Sequence, residues 1–127
     1  MALKFLVVDD SVTMRRIVLN SLKQIGHEAF VEAADGRDAL NKLQADDSIS
    51  FIITDWNMPD LTGLDLVKAV RANPKYETLP ILMVTTRGMK EDIVEALQAK
   101  VNNYIVKPFT PQVLREKIEQ IIATPVA

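Results

Sequence analysis

Five short runs of apolar residues recur along the chain, and each is followed by a segment with the spacing of an amphipathic helix. Runs of this length predict strands, and their strict alternation with helical segments is typical of βα units that build a parallel sheet. Three runs are almost continuously aliphatic, which favours strands covered by helices on both faces. The predicted strands are Lys4–Val8, Ala29–Ala33, Phe51–Thr54, Ile81–Val84 and Tyr104–Val106.

Helical segments fill the spaces between these runs. The last helix has the clearest start, because Thr110 is a good N-cap residue and Pro111 follows at the first helical position. Since βαβ crossovers are right-handed, five such units predict an α/β fold with a doubly wound, five-stranded parallel sheet. We favour the strand order 2-1-3-4-5 of flavodoxin-like (βα)5 folds, but periodicity alone does not exclude another order. Three of the other helices are predicted at Gly36–Ala45, Gly63–Ala72 and Lys90–Ala99.

Length and charge narrow the class of protein. The chain has 127 residues and a net charge of −2, so we expect one domain over residues 1–127 with no bulk attraction to nucleic acid or anionic membranes. It has no cysteine, which rules out a disulfide framework and a thiolate metal site. The N-terminal apolar run is interrupted by Lys4 and is too short for a signal peptide or a membrane span. We therefore expect a soluble, cytoplasmic protein. We also expect it to be a monomer.

Polar residues follow four of the five predicted strands. Asp9 and Asp10 end the first strand, Asp55 the third, Thr85 the fourth and Lys107 the fifth. Because parallel strands end at one edge of the sheet, these side chains should converge. The first and third strands would flank the point where strand order reverses, which is where open α/β sheets bind ligands.

Three carboxylates in one pocket repel one another unless a cation is present, and oxygen ligands suit Mg²⁺. An aspartate in such a pocket can act as a nucleophile and form an aspartyl phosphate, with Lys107 and Thr85 binding phosphate oxygens. We choose Thr85 over Thr86 because it directly follows the apolar run. The alternative for Asp9 and Asp10 is the ordinary preference of acidic residues for a helix N-terminus.

The residue two positions after Asp55 separates two classes of aspartyl-phosphate protein. Hydrolases of the haloacid-dehalogenase type carry an aspartate there as general acid and base, whereas this chain has Asn57, which cannot exchange a proton. Slow turnover suits a timed switch better than a phosphatase. A flavin carrier of similar fold is disfavoured because no Ser/Thr/Gly-rich loop follows the first strand.

With these residues in place, the chain resembles the CheY family of single-domain chemotaxis response regulators over essentially its whole length. The ordered set of Asp-Asp, Asp, Thr and Lys-Pro at strand ends is a specific signature, and Asp-Trp-Asn-Met-Pro is typical of the chemotaxis branch. The matching stretches are residues 5–10 (FLVVDD), 13–16 (TMRR), 55–59 (DWNMP) and 104–110 (YIVKPFT).

The resemblance implies the roles of individual site residues. Asp55 would be the phosphorylation site. Asp10, Asp55 and the backbone carbonyl of Asn57 would bind Mg²⁺, and Asp9 would assist through a water molecule. Lys107 would bind the phosphoryl group, and Thr85 would move towards it.

The resemblance also implies how the signal leaves the pocket. Tyr104 would turn inward into the space that the threonine vacates, and the peptide bond before Pro108 would be cis. Lys90, Tyr104 and Lys117 would lie on the face formed by helix four, strand five and helix five, which would meet the flagellar motor switch protein.

A histidine kinase would supply the phosphoryl group, and a phosphatase is a further candidate partner. The protein would phosphorylate itself from a donor and dephosphorylate itself slowly, so we do not expect a turnover enzyme. A phosphate sink or a non-motor regulator with the same chemistry is the alternative reading of the pocket. An unphosphorylated scaffold is disfavoured by the complete acidic set.

The chain departs from the family pattern at two places. Lys100 stands where the family usually has glycine after helix four, so either the lysine adopts a positive φ, which costs about 1 kcal/mol, or the connection is rearranged. We expect a locally shifted or mobile connection. Thr86-Arg87-Gly88 stands where many relatives carry Ala-Glu-Ala, and we expect Arg87 to change the lifetime of the phosphoryl group or recognition by a phosphatase.

Overall fold

The computed structural model describes residues 3–123, which contain one five-stranded parallel sheet. The strand order is β2-β1-β3-β4-β5, which confirms the predicted topology. β1 pairs in parallel with β2 on one side and with β3 on the other, so the strand order reverses between β1 and β3. The strands are β1 (Lys4–Val8), β2 (Ala29–Ala33), β3 (Phe51–Thr54), β4 (Ile81–Thr85) and β5 (Asn103–Val106).

Four of the five described helices start at a side-chain cap, and the helix that begins at Lys90 has none. The side chain of Ser11 accepts a hydrogen bond from the backbone N–H of Met14 at 3.2 Å, and Thr110 accepts one from Val113 at 3.2 Å, so the predicted cap of the last helix is confirmed. None of the helices within residues 3–123 combines the length and apolar character needed to cross a bilayer. The helices are α1 (Val12–Gln24), α2 (Gly36–Ala45), α3 (Gly63–Ala72), α4 (Lys90–Gln98) and α5 (Pro111–Ala123), with a 3-10 turn at Pro74–Tyr76.

The core has two layers because alternate residues of each strand face opposite sides of the sheet. On β1, Leu6 and Val8 face α2, α3 and α4, whereas Phe5 and Val7 face α1 and α5. Both layers are built mainly of buried apolar residues, and together they hold the carboxyl ends of the strands in place. The helix residues that complete the second layer are Val18, Leu22, Leu114, Ile118 and Ile121.

The connection after α4 is an ordinary helix end. Lys100 has φ 77°. The N–H of Lys100 donates to the carbonyl of Leu97 at 3.0 Å, and the N–H of Val101 donates to that of Ala96 at 3.3 Å. This hydrogen-bond pair is the Schellman motif, which normally has glycine at the left-handed position. The expected shift of the connection is therefore wrong, and the lysine adopts the conformation that glycine usually supplies.

Candidate functional site

The polar residues predicted to converge lie together at the carboxyl edge of the sheet. Asp9 and Asp10 form the turn after β1, Asp55 follows β3, Thr85 is the last residue of β4 and Lys107 follows β5. The backbone N–H of Asp55 donates to the carbonyl of Val8 at 3.0 Å, which joins the two acidic strand ends directly. Residues that are far apart in the sequence therefore form one site.

The three aspartates form an acidic cluster that fits a small divalent cation. One carboxylate oxygen from each of Asp9, Asp10 and Asp55 lies within 4.8 Å of the others. Asp9 is buried whereas Asp10 is exposed, so the cluster is open on one side. Partial desolvation raises the pKa of the Asp10 carboxyl, and the neighbouring Asp9 raises it further. A donor set made only of oxygen, with excess negative charge, is what Mg²⁺ requires.

Lys107 supplies the positive charge of the site. Its Nζ lies 3.2 Å from Oδ2 of Asp9 and 3.5 Å from Oδ2 of Asp55, and its side chain is only 9% exposed. The backbone N–H of Lys107 donates to the carbonyl of Thr85 at 2.8 Å, and the following peptide bond to Pro108 is cis, as the resemblance implied. The ammonium group is thus held against two carboxylates, in reach of any group attached to Asp55.

The loop after β3 holds Asp55 in a close-packed backbone. Oδ1 of Asp55 accepts a hydrogen bond from the backbone N–H of Trp56 at 2.7 Å, which leaves Oδ2 on the Lys107 side. The N–H of Gly63 donates to the carbonyl of Trp56 at 2.9 Å. A Cβ atom at Gly63 would lie 1.8 Å from the carbonyl oxygen of Asp55, so only glycine fits at this position.

The two adjacent threonines after the fourth apolar run have different environments. Thr85 is fully buried at the end of β4, and its hydroxyl accepts a hydrogen bond from the backbone N–H of Arg87 at 3.4 Å. Thr86 is exposed and lies beside Met14 and Lys107 at the rim of an apolar cavity of about 340 Å³. The burial and strand position of Thr85 support its choice as the switch hydroxyl, although its movement stays a prediction.

Tyr104 is buried, with 8% of its surface exposed, and its inward turn on phosphorylation stays a prediction. Its hydroxyl donates a hydrogen bond to the backbone carbonyl of Arg87. Burial raises the pKa of the Tyr104 phenol to about 12, and the negative charge of Asp92 contributes to this rise. β5 is therefore tied to the loop between β4 and α4 by a neutral donor.

Arg87 makes contacts that the sequence did not reveal. Its Nε donates to the side-chain oxygen of Asn57 at 2.9 Å, and its Nη1 lies 3.4 Å from Oδ1 of Asp92. Its guanidinium carbon lies 4.7 Å from the ring centroid of Trp56. Trp56 is 4% exposed, so it belongs to the core and also lies beside the site. The sequence placed Arg87 near the pocket but gave no sign that it bridges two loops.

Arg15 also approaches the site, although the sequence analysis assigned it no role. Its Nη1 donates to the backbone carbonyl of Asp9 at 2.6 Å. The sequence held no local signal for this contact, because Arg15 and Arg16 are adjacent residues of the same type near the start of α1. Arg16, its neighbour in sequence, is exposed.

The residues predicted for the partner surface differ in exposure. Lys90 is exposed at the start of α4 and Lys117 is partly exposed on α5. Tyr104 is buried, so little of its side chain reaches this face, and its part in the partner surface stays a prediction. Val106, two residues later on β5, is 42% exposed.

Comparison with known proteins agrees with this geometry. The family described as response regulator receiver domain matches residues 5–119. The chain is 56% identical over 122 residues to a chemotaxis protein CheY homolog of Campylobacter jejuni, which covers 96% of this chain and 94% of that protein. It is 55% identical over 122 residues to chemotaxis protein CheY1 of Helicobacter pylori, with 96% and 98% covered. Among solved structures, chemotaxis protein CheY4 of Vibrio cholerae matches with a TM-score of 0.87 and 39% identity, over 95% of this chain and 99% of that one.

Proposed function

This chain belongs to the family of response regulator receiver domains, and on that premise we propose that it is a chemotaxis response regulator phosphorylated on Asp55. The observation that carries the proposal is that Lys107 contacts the acidic cluster: its Nζ lies 3.5 Å from Oδ2 of Asp55. The donor is a phosphohistidine of a histidine kinase. We also assign the protein to the cytoplasm, as a monomer, where it meets the kinase and the flagellar motor switch protein.

In the transfer step, a carboxylate oxygen of Asp55 attacks the phosphorus atom. A P–O bond forms, the P–N bond of the phosphohistidine breaks, and the leaving imidazole takes up a proton. Lys107 offsets the charge on one phosphate oxygen, and the hydroxyl of Thr85 donates to another after a local movement. Catalysis rests on positioning and charge neutralisation, because no side chain of the site is required as a general acid.

The acidic cluster would hold Mg²⁺. Asp10, Asp55 and the backbone carbonyl of Asn57 are its proposed ligands, and Asp9 is linked to it through a water molecule. When bound, the ion offsets negative charge that builds up on the phosphoryl oxygens. Asp9 is held by its contacts with Lys107 and with the N–H of Ser11 at 3.0 Å, so it contributes charge and orientation.

Phosphorylation would act by shifting an equilibrium between two conformations of the loop at residues 86–89. The backbone N–H of Arg87 in this loop donates to the hydroxyl of Thr85, and the carbonyl of Arg87 accepts from the hydroxyl of Tyr104. A movement of Thr85 would therefore change the position of the loop relative to Tyr104 on β5. The exposed face of α4, β5 and α5, with Lys90 and Lys117, would then bind the motor switch protein. Asn57 in place of an acid supports slow self-dephosphorylation and a switch without enzymatic turnover.

The central test is phosphorylation by a small-molecule donor in the presence of Mg²⁺. Intact mass should increase by one phosphoryl group, and the fluorescence of Trp56 should change with it. Asp55→Asn should abolish the increment, whereas Asp60→Asn, an exposed acid of the same loop, should keep it. Labelling of the Asp55→Asn variant, or no labelling of the unaltered protein, would contradict the proposal.

A phosphate sink is the second candidate, because it needs the same pocket. Val94, Val106 and Met89 have exposed apolar side chains at or near the face formed by α4, β5 and α5. Exposed apolar side chains favour a protein that docks a partner over a phosphate sink. Binding of the phosphorylated protein to a motor-switch peptide separates the two functions. A sink would transfer phosphate normally and show no phosphorylation-dependent binding.

A further inference from the structure

Arg15 links α1 to the turn that carries two of the acidic residues. Its Nη1 donates to the carbonyl oxygen of Asp9 at 2.6 Å, and its Nε donates to Oε1 of Glu32 on β2 at 3.2 Å. The Arg15 side chain is only 13% exposed, whereas that of Glu32 is 47% exposed. The guanidinium is therefore held at two points, between the neighbouring strand and the acidic turn.

The carbonyl that Arg15 binds belongs to the peptide plane between Asp9 and Asp10. Because this plane is rigid, fixing its oxygen also fixes the direction in which the chain enters Asp10. The carboxylate of Asp9 is fixed separately, since it accepts from the N–H of Ser11 at 3.0 Å and contacts Lys107 at 3.2 Å. Asp10 is exposed, and the hydrogen bond from Arg15 constrains the backbone that carries it.

We propose that Arg15 is a positioning residue for divalent-cation binding at this turn. This inference rests on the proposed function, in which Asp10 is a direct ligand of Mg²⁺. Magnesium demands near-ideal octahedral geometry, so a small rotation of the Asp9–Asp10 peptide lowers affinity. Groups that orient metal ligands typically change affinity by about 10-fold to 100-fold when they are removed.

The direction in which Mg²⁺ affinity changes when Arg15 is replaced distinguishes a positioning role from a purely electrostatic one. Arg15 carries a positive charge close to the cation site, and Coulomb repulsion alone predicts that its removal tightens Mg²⁺ binding. Loss of positioning predicts weaker binding. The two explanations therefore give opposite results for the same substitution.

The experiment is a titration with Mg²⁺ alone, measured by calorimetry and by the fluorescence of Trp56. Arg15→Gln should weaken binding by about tenfold. Arg15→Lys keeps the charge but not the two-point contact, so its affinity should lie between those of Arg15→Gln and the unaltered protein. Arg16→Gln makes the same charge change at the exposed neighbouring position and should leave the dissociation constant within about twofold.

Each outcome bears on the proposal. Unchanged or tighter binding in Arg15→Gln would overturn it, as would equal weakening in Arg16→Gln. A lower free energy of unfolding with an unchanged dissociation constant would show a purely structural role and would also overturn it. If Arg15→Gln fails to fold, Arg15→Lys decides, since weaker binding at constant charge supports positioning. No Mg²⁺ binding by the unaltered protein would refute the proposed function itself, and this inference with it.

Discussion

Nε of Arg87 donates a hydrogen bond to the side-chain oxygen of Asn57 at 2.9 Å and so joins the loop after β4 to the loop after β3. The same guanidinium lies over the ring of Trp56, with 4.7 Å between its central carbon and the ring centroid. Asn57 lies two residues after the proposed phosphorylation site, Asp55. Arg87 therefore lies against the loop that carries the proposed phosphorylation site, and we expect it to restrict the approach of water to a phosphoryl group on Asp55.

Replacement of Arg87 should shorten the lifetime of the phosphorylated protein. Arg87→Ala and Arg87→Glu both remove the donor to Asn57 and uncover Trp56, which opens the approach of water. We expect self-dephosphorylation to be about threefold to tenfold faster, the kinetic equivalent of one lost hydrogen bond. The measurement is loss of the phosphoryl group over time by intact mass, without a phosphatase.

Lys90→Ala is the matched control for this prediction. Lys90 is an exposed cation of the same region, at the start of α4, and its loss changes the net charge by the same amount as Arg87→Ala. Its dephosphorylation rate should equal that of the unaltered protein. Equal rates in all the variants would mean that Arg87 does not control access to the site.

The phenol of Tyr104 should ionise only at high pH. Burial raises the pKa of Tyr104 to about 12, so an absorbance titration should show a late step that is missing in Tyr104→Phe. The folded pKa lies above the unfolded value of about 10, so the stabilising contribution of Tyr104 is complete below about pH 10 and is lost as the pH rises towards 12.

The free energy of unfolding provides the second measurement for Tyr104. It should fall more steeply between about pH 10 and 12 in the unaltered protein than in Tyr104→Phe. Identical slopes in the two proteins would show that the hydroxyl is not the buried donor to Arg87. The phenylalanine keeps the ring in the core, so packing is nearly constant in this comparison.

The fold was predictable because its signals are local. Three predicted strands have the observed bounds, and the other two are each extended by one residue, Thr85 and Asn103. Apolar runs, the cap at Thr110 and the rule that parallel strands end at one edge were enough to bring Asp9, Asp55 and Lys107 together.

Side-chain bridges across loops were not predictable. Arg15 and Arg16 are adjacent in sequence, yet one is 13% exposed and bonded to the acidic turn while the other is exposed. Their difference comes from how α1 is rotated against the sheet, which brings Arg15 to the carbonyl of Asp9 and to the carboxylate of Glu32. Arg87 likewise gains two partners, Asn57 and Trp56, from a separate loop. The sequence identifies which residues meet at strand ends, but tertiary packing decides which long side chains reach them.

Gly63→Ala should disturb the proposed phosphorylation site through the backbone. The added Cβ atom would lie 1.8 Å from the carbonyl oxygen of Asp55, and backbone atoms cannot move aside without shifting the acceptor. We expect a loss of about 1 to 3 kcal/mol in the free energy of unfolding, together with slower phosphorylation. Urea unfolding and the rate of mass labelling measure the two effects.

Gly88→Ala is the comparison for this change. A Cβ atom at Gly88 would meet Val106 at 3.4 Å, which is an ordinary contact. Its stability should be unchanged or raised by up to about 1 kcal/mol, because alanine restricts the unfolded chain. If Gly63→Ala is as stable and as readily phosphorylated as Gly88→Ala, the close approach at Asp55 does not constrain the site.

Lys100→Gly should stabilise the protein. Lys100 holds φ 77° in the motif that ends α4, where a side chain is strained and glycine is not. The free energy of unfolding should rise by about 1 kcal/mol. Urea denaturation measures it, and the slope of the free energy of unfolding against urea concentration should be unchanged. Lys100→Ala also removes the ammonium group and the side chain beyond Cβ, but it keeps the Cβ atom. Its free energy of unfolding should therefore stay near that of the unaltered protein. Equal stabilisation in both variants would place the cost in the lysine side chain and not in the backbone, since only glycine relieves the left-handed conformation.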